Sequence, residues 1–449
     1  MRSVSTRVKP WLVVGVALLG VGAAGAWMLL PPGALSFAGG PTVSITAYRD
    51  PSPAGVPAEL RAADLITRGK YLTEAADCEV CHTIEGGRRF AGGRAFATPF
   101  GVLYSPNITA DRETGIGAWS DADFVTAVHK GIGRSGQRLY PAFPYESYTL
   151  LDDEDVRAIK AYLFSLPVAR ATAPPNSLKF PFDQRWLMGF WSAFYNPDHR
   201  FRPLERRSPE WNRGAYLAEA LGHCGDCHTP RNLAQALDNR RKFAGTFIDG
   251  WRAYNITSDR RSGVGAFSDA DLSAYLSLGH ADGRGTASGP MGEVVHQSLS
   301  HLVPSDISAL VSYLRSIPAM SSSNLPLPKL TPASALARQG PVAAADRPGK
   351  AVFEQACASC HSWSGIGLLT PFATLTGSRA VNDPTATNVA QIILSGTQRQ
   401  TTAGNVFMPA FGEAYSDVEI ADVANYVTGR FGTAPSAITA KTVAKLRGL

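Results

Sequence analysis

Six cysteines in this 449-residue chain form three Cys-x-x-Cys-His motifs, and no cysteine lies outside them. The motifs read Cys78-Glu-Val-Cys81-His82, Cys224-Gly-Asp-Cys227-His228 and Cys357-Ala-Ser-Cys360-His361. At this spacing two thiols can bond to both vinyl groups of one porphyrin, and the adjacent histidine can ligate its iron. The sequence therefore predicts three covalent c-type haems, with His82, His228 and His361 as the proximal iron ligands.

Disulfide bonds and structural zinc are the alternatives for these cysteines. A disulfide framework would not place a histidine after every second cysteine. A structural zinc site usually combines two close pairs of ligands in a tetrahedron, whereas these pairs lie more than a hundred residues apart. Haem attachment is the interpretation that fits all three motifs.

Methionine on the far side of a haem raises its potential and closes the iron to substrates. Met291 and Met408 each lie shortly before a predicted helix, and we predict them as sixth ligands of the second and third irons; core packing is the alternative. In the first repeat the equivalent position is Phe143, which cannot ligate iron. That haem is expected to be five-coordinate or to use a substitute such as His129, although we favour His129 as a surface residue of a helix.

The segments around the first two motifs are copies of one unit. Arg68–Leu72 returns as Arg213–Leu217, and Asn107–Asp123 returns as Asn255–Asp271 at an offset of 148 residues. Each copy is predicted to contain a helix, a haem loop, a turn-rich segment and a closing helix. A shorter third unit is expected from about Gly349 to Gly432.

The closing helices have start signals and apolar residues at helical spacing. The predicted N-caps are Asp152 or Asp153, Ser305 and Ser416. No stretch alternates convincingly with period 2, so the sequence predicts an all-α fold. The two Asn-Ile-Thr sequences match the glycosylation sequon, but their equivalent repeat positions favour a structural role in a loop.

The N-terminus indicates export. Arg2, Arg7 and Lys9 precede an uncharged run from Trp11 to Leu30. Twenty residues at about 1.5 Å each can span a bilayer core of roughly 30 Å, so we favour an uncleaved transmembrane anchor. Cleavage at Ala24-Gly25-Ala26 is the alternative. In either case the haem motifs are expected on the periplasmic side.

Two linkers differ in composition. Residues 321–348 are rich in Ala, Pro and Ser and are expected to form a flexible tether. The segment from Lys179 to Tyr195 holds seven aromatic residues instead. Packing between haem domains is the simpler interpretation of these aromatics, and a membrane-interface or partner-docking surface is the alternative.

The charge does not indicate nucleic-acid binding. The chain carries a formal net charge of +6, and the propionates of three haems would offset it.

Several longer motifs resemble the triheme cytochrome c subunit of membrane-bound bacterial dehydrogenases, the alcohol and gluconate dehydrogenase type. The resemblance covers about Leu65 to Gly432 and depends on Arg-Gly-x-Tyr-Leu before the haem, Thr98-Pro-Phe-Gly101, Ser105-Pro-Asn-Ile-Thr109, Tyr140-Pro-Ala, Trp211-Asn-Arg-Gly-Ala-Tyr216, Gly222-His-Cys and Gly289-Pro-Met. It implies that electrons pass from a catalytic subunit through the haems to ubiquinone. The family has Met after Tyr-Pro-Ala, where this chain has Phe143.

We therefore predict an all-α protein with three tandem cytochrome c domains. The expected ranges are an N-terminal signal or anchor over 1–35, cytochrome c domains over 60–170, 209–320 and 349–434, an aromatic-rich linker over 171–208 and an Ala/Pro/Ser linker over 321–348. The predicted function is electron relay at the periplasmic face of the inner membrane. The expected donor is a dehydrogenase that oxidises an alcohol or sugar CH–OH group, and the expected acceptor is ubiquinone or another cytochrome.

Two other functions remain open for this chain. A peroxidase-like haem enzyme could act at the first iron, or that iron could bind a small ligand as a sensor. Relay without chemistry fits better, because the sequence shows no catalytic dyad and no second cofactor motif.

Overall fold

A computed structural model of the protein describes residues 10–36, 39, 53–321, 346–401 and 404–448. The 321–348 linker lies mostly outside these residues. The longer helices span Pro10–Leu29, Leu65–Ala75, Asp121–Lys130, Asp153–Ser165, Leu187–Tyr195, Pro209–Tyr216, Asp269–Leu278, Gly289–Gln297, Pro304–Arg315, Arg347–Ala356, Thr387–Ser395, Asp417–Phe431 and Ala440–Arg447. Short helices cover Tyr145–Tyr148 and the haem motifs at Cys78–His82, Gly225–His228 and Ala358–His361.

The expectation of an all-α fold is corrected by small antiparallel sheets among the described residues. Ala95–Thr98 pairs with Gly101–Tyr104, which also pairs with Ser177–Leu178. The other pairs are Thr246–Ile248 with Trp251–Ala253, His280–Ala281 with Gly285–Thr286, and Thr397–Thr401 with Gly404–Met408. These strands are two to five residues long, too short for a period-2 pattern to be visible.

Three pairs of crossing helices organise the chain. We call Leu65–Ala75, Pro209–Tyr216 and Arg347–Ala356 the opening helices; they pack on the closing helices Asp153–Ser165, Pro304–Arg315 and Asp417–Phe431, respectively.

A glycine lies at each crossing: Gly69, Gly214 and Gly349. A Cβ on these glycines would collide with the backbone carbonyl oxygens of Ala158, Ala309 and Asp422. Only glycine permits so close a backbone approach, which explains the Gly of Arg-Gly-x-Tyr-Leu and its counterpart in the third unit.

The second opening helix accommodates one extra residue. Cys224 lies one residue farther from Gly214 than Cys78 lies from Gly69. The helix continues past Tyr216 as a π-helical turn over Leu217–Leu221. A π turn absorbs a single insertion without breaking the helix, so both haem motifs keep an equivalent position relative to the crossing.

The buried apolar side chains of the described residues form two cores. The first contains side chains from Tyr71 to Ile317, drawn from both of the first two units. The second contains side chains from Phe353 to Leu446. The first two units therefore share one core, and the third unit has its own.

Two reciprocal hydrogen bonds join the first two units at their helix crossings. Tyr71 of the first unit donates to Asp306 on the second closing helix (2.6 Å), and Tyr216 donates to Asp155 on the first closing helix (2.6 Å). Arg213 also donates twice to Asp306, at 2.8 and 2.7 Å, and Arg68 pairs with Asp155. In each Arg-Gly-x-Tyr motif the arginine binds the aspartate of its own unit, and the tyrosine binds that of its neighbour.

The predicted helix caps are confirmed at two positions and wrong at one. Asp152 and Ser416 accept hydrogen bonds from backbone N–H groups in the first turn of their helices. The second closing helix instead begins at Pro304, which places Ser305 inside the first turn. The helix Ala440–Arg447 was not predicted; it packs Val443 and Leu446 on the second core.

The apolar N-terminal run is helical over Pro10–Leu29. None of the helices in the described ranges combines the length and the apolar character that a membrane crossing requires. The membrane anchor and the export signal both stay predictions.

Candidate haem-binding sites

The three proximal histidines share one arrangement. The Nδ1 atoms of His82, His228 and His361 lie 2.8, 2.6 and 2.5 Å from the backbone carbonyl oxygens of Pro106, Tyr254 and Ala373, respectively. A carbonyl can only accept, so Nδ1 carries the proton and Nε2 keeps its lone pair. This second hydrogen bond is the one that orients a metal-ligating imidazole and fixes its tautomer.

Burial also favours the neutral form of these imidazoles. It lowers the pKa of His82, His228 and His361 below the usual value, against a smaller opposing effect of the carbonyl hydrogen bond. Neutral imidazole is the form that binds a metal. The three histidines predicted as ligands are thus neutral and carry their proton on Nδ1. This is the form in which Nε2 can bind iron.

The repeated Asn-Ile-Thr segments hold two of the carbonyls in place, because they directly follow Pro106 and Tyr254. Asn107 accepts a hydrogen bond from the Thr109 amide (2.9 Å) and donates to the Ala169 carbonyl (2.6 Å). Asn255 accepts from the Thr257 amide at 2.8 Å and donates to the Met320 carbonyl at 2.5 Å. These buried asparagines have the structural role that the repeat indicated.

The cysteines of each motif fit covalent haem attachment. None of the six is paired in a disulfide, and in each motif the second cysteine and the histidine lie on one short helix. The first cysteine of each motif also packs against the core of its unit. A porphyrin bonded at these positions would therefore lie between the motif and an apolar wall.

The predicted sixth ligands lie on the same cores as their cysteines. Met291 is in the first turn of the helix Gly289–Gln297 and packs against the first core, as does Cys224. A Cβ at Gly289, where φ is +54°, would lie 2.5 Å from the Trp251 ring, so this turn requires glycine. Met408 ends the strand Gly404–Met408 and packs against the second core, as does Cys357.

An aromatic cluster surrounds Phe143, the residue at the methionine position of the first unit. Its ring lies 5.5 Å from that of Tyr148 and 6.5 Å from that of Tyr145. The Tyr148 hydroxyl donates to the carbonyl of Ala76 (2.7 Å), two residues before Cys78. Phe143 thus packs with Tyr145 and Tyr148 against the first core. Its side chain has no sulfur, so this position cannot supply a thioether ligand.

The prediction that His129 is a surface residue is wrong. Its side chain is completely buried, and Nδ1 lies 3.7 Å from an oxygen of Asp153 at the start of the first closing helix. Burial lowers the pKa of His129 to about 4, although Asp153 opposes the shift. Its imidazole ring therefore lies beside the start of this helix.

The first two attachment motifs lie next to each other, which the sequence did not predict. Tyr148 contacts His223, the residue before Cys224, with ring centroids 5.4 Å apart. Arg94 donates to the carbonyl of Val80, between the two cysteines of the first motif, and to Glu293, two residues after Met291; both distances are 2.8 Å. The helix Gly289–Gln297, which carries Met291, therefore contacts the first attachment motif.

The second unit also contacts the third near both proximal histidines. The Tyr254 hydroxyl donates to Asp383 (3.2 Å), and Arg252 pairs with the same carboxylate (3.1 Å). Thr286 donates to the carbonyl of Phe372 (3.0 Å), the residue before Ala373. The backbone segments that orient His228 and His361 are thus connected through the interface.

Comparisons with known proteins identify the family of this chain. Residues 66–167 match the cytochrome c family model, and residues 344–427 match that of subunit III of cbb3-type cytochrome c oxidase. The gluconate 2-dehydrogenase cytochrome c subunit of Pantoea cypripedii is 39% identical over 85% of this chain and 89% of its own length. The chain belongs to the family of cytochrome c subunits of bacterial dehydrogenases.

Other relatives are similarly close. The fructose dehydrogenase cytochrome subunit of Gluconobacter japonicus is 37% identical over 85% of this chain and 82% of its own length. A nicotinate dehydrogenase component of Pseudomonas putida is 40% identical over 82% of this chain, which spans only 30% of that longer protein. The predicted resemblance is confirmed, and cytochrome c domains imply covalent haem c with iron.

Proposed function

We propose that this chain is the electron-transfer subunit of a dehydrogenase complex and carries three covalent haems c in three tandem cytochrome c domains. The observation that supports it best is the repeated proximal arrangement, in which Nδ1 of His82, His228 and His361 faces a backbone carbonyl. The named relatives include cytochrome subunits of gluconate, fructose and alcohol dehydrogenases. A catalytic dehydrogenase subunit is therefore the electron donor that we propose.

Each haem would be held by its own motif. The paired cysteines would form the thioether bonds, the histidine would bind iron through Nε2, and Met291 and Met408 would complete the second and third sites. Bound haem supplies the one-electron redox chemistry. The protein orients the imidazoles through the three carbonyls and excludes water with the apolar cores.

We place the second haem between the other two. The second unit contacts the first through Arg94 with Glu293 and through Tyr148 with His223. It contacts the third through Asp383 with Tyr254. Electrons would therefore cross the chain by way of the second unit, from one end unit to the other.

The proposed location is the periplasmic face of the bacterial inner membrane. The basic residues ahead of the apolar N-terminal helix are the feature that supports export. The acceptor is then ubiquinone or another respiratory carrier, and the donor's substrate carries a CH–OH group, as the names of the gluconate, fructose and alcohol dehydrogenase relatives suggest.

The donor is identified by purifying the tagged chain from detergent-solubilised membranes and sequencing the subunit that accompanies it. Adding that subunit's substrate should reduce all dithionite-reducible haem, followed at the α-band. Purification of the chain without any dehydrogenase, or with one whose substrate leaves the haems oxidised, would contradict the proposed function.

A double substitution, Cys224→Ala with Cys227→Ala, removes the proposed middle haem. We expect the substrate to reduce only one of the two remaining haems rapidly, whereas dithionite reduces both. The matched control, Cys357→Ala with Cys360→Ala, removes an end haem. If that end receives the electrons first, substrate reduction should stop entirely; otherwise both remaining haems should still be reduced. Rapid reduction of both remaining haems without the middle one would contradict the order.

A further inference from the structure

We propose that a contiguous aromatic face of this protein rests on the headgroup region of the lipid bilayer. The face comprises Trp186, Phe190, Phe194, Leu233 and the end of the N-terminal helix, and we call it the lipid face. The inference deepens the proposed location at the membrane and rests on it. It concerns contact with a membrane surface and requires no helix to cross the bilayer.

The centre of the lipid face is a stripe on the helix Leu187–Tyr195. Trp186, Phe190 and Phe194 are spaced four residues apart, so they lie on one side of the helix. Their side chains are 62%, 65% and 66% exposed, and the helix contains no charged residue. Contiguous exposed apolar surface of this kind marks a contact site.

The opposite side of this helix is anchored to the protein. Trp191 donates to the carbonyl of Ala234 (2.8 Å), and its ring lies 6.0 Å from that of Tyr145 in an edge-on contact. The hydroxyl of buried Ser192 lies 3.3 Å from that of Tyr145. Because Trp191 and Ser192 pack on Tyr145 of the aromatic cluster around Phe143, the stripe on the other side of the helix faces outward.

The same face continues to the N-terminal helix through the loop that Trp191 contacts. Leu233, beside Ala234, is 85% exposed, and its other neighbour Asn232 donates to the carbonyl of Leu29 (3.1 Å). The Arg240 guanidinium lies 4.4 Å from the centre of the exposed Trp27 ring. The end of the apolar helix and the aromatic stripe thus flank one loop.

A lipid surface fits this face better than a protein partner does. The helix Pro10–Leu29, whose end contacts the same loop as the stripe, contains no charged residue in twenty positions. Arginines lie at the margins: Arg185 donates to the Arg138 carbonyl near the stripe, and Arg240, which also pairs with Asp238, donates to the Met28 carbonyl of the N-terminal helix. Aromatic rings with flanking Arg and Lys are the composition that lies in the interface and attracts anionic lipid.

Photolabelling in vesicles tests the lipid face one peptide at a time. The full-length holoprotein would be bound to phosphatidylethanolamine–phosphatidylglycerol vesicles that contain a diazirine-tagged phospholipid, and labelled peptides would be identified by mass spectrometry. We expect the peptide with Phe190 and Phe194 to be labelled, and Phe190→Asp to lose most of that labelling. Leu368 and Leu369 of the third unit, 66% and 81% exposed, serve as the matched control and should stay unlabelled.

Two outcomes would overturn the proposal. Labelling confined to the N-terminal helix would show that the stripe does not meet lipid. Equal labelling of the stripe and of the Leu368–Leu369 peptide would show that lipid contact is not specific to this face. The assay contains no dehydrogenase, so failure of the proposed electron transfer would leave its result unchanged.

Discussion

Removing a hydroxyl from either reciprocal tyrosine should destabilise the first two units together. In Tyr71→Phe the carboxylate of Asp306 loses one of its three described hydrogen bonds and keeps the two from Arg213. In Tyr216→Phe the carboxylate of Asp155 keeps the amide of Gly55 (2.7 Å) and Arg68. Burial raises the pKa of both tyrosines, so each hydroxyl stays protonated and donates.

The expected cost follows from the type of hydrogen bond. A bond to a charged group contributes about 1.5–3 kcal/mol to stability, so each single substitution should lower the free energy of unfolding by about that amount. The two pairs involve different aspartates, so the double variant should lose about 3–6 kcal/mol if the effects add. Since one core spans both units, the loss should appear in a single shared transition.

Guanidinium unfolding of the holoprotein, followed by Soret circular dichroism, measures these losses. The control is Tyr426→Phe, because Tyr426 lies in the second core; it should leave the transition of the first two units in place. An unchanged midpoint in Tyr71→Phe, or separate transitions for the first and second units in the wild type, would refute the reasoning.

Three further substitutions test single features. Phe143→Met should make the first haem low-spin and raise its potential, detected as an added methionine signature in near-infrared magnetic circular dichroism; a folded variant with an unchanged spectrum would mean that another group occupies the sixth position. His129 has a folded pKa of about 4 against about 6.5 unfolded, so it opposes folding increasingly as the pH falls from about 6.5 to 4. His129→Gln should therefore flatten the pH dependence of stability there, and an identical acid profile would argue against the buried neutral imidazole. Gly349→Ala should destabilise the third unit by about 1–3 kcal/mol or more, because the added methyl group overpacks the helix crossing. Gly429→Ala is the control: an added Cβ there would lie 3.5 Å from its nearest neighbour, so stability should not fall. Equal losses of stability in the two variants, measured by calorimetry, would argue against the close crossing.

The sequence predicted what depends on short-range chemistry. The spacing of cysteines and histidines predicted cytochrome c domains, which the family models match over residues 66–167 and 344–427. The caps Asp152 and Ser416 marked helix starts correctly. The missed helix Ala440–Arg447 buries only Val443 and Leu446, too few apolar positions to give a periodic signal. At Ser305 the neighbouring Pro304 takes the first helical position, which proline favours because it has no N–H to donate.

Tertiary contacts could not be predicted from the sequence because they join residues that are far apart along the chain. The carbonyls that orient the histidines lie 12 to 26 residues away, and backbone groups leave no mark in side-chain composition. His129 is buried on a helix that packs against the first closing helix, and that contact joins residues distant in sequence. The Arg-Gly-x-Tyr motif was visible as a repeat, but only the fold shows that its tyrosine binds the neighbouring unit.

Covalent haem at all three motifs is the central claim, and a haem count tests it most directly. The pyridine haemochrome absorbance of the purified protein would be divided by the amount of chain from quantitative amino-acid analysis. The three complete motifs predict about three haems per chain. A ratio of two or less in protein matured with an active haem-attachment system would contradict the proposed relay.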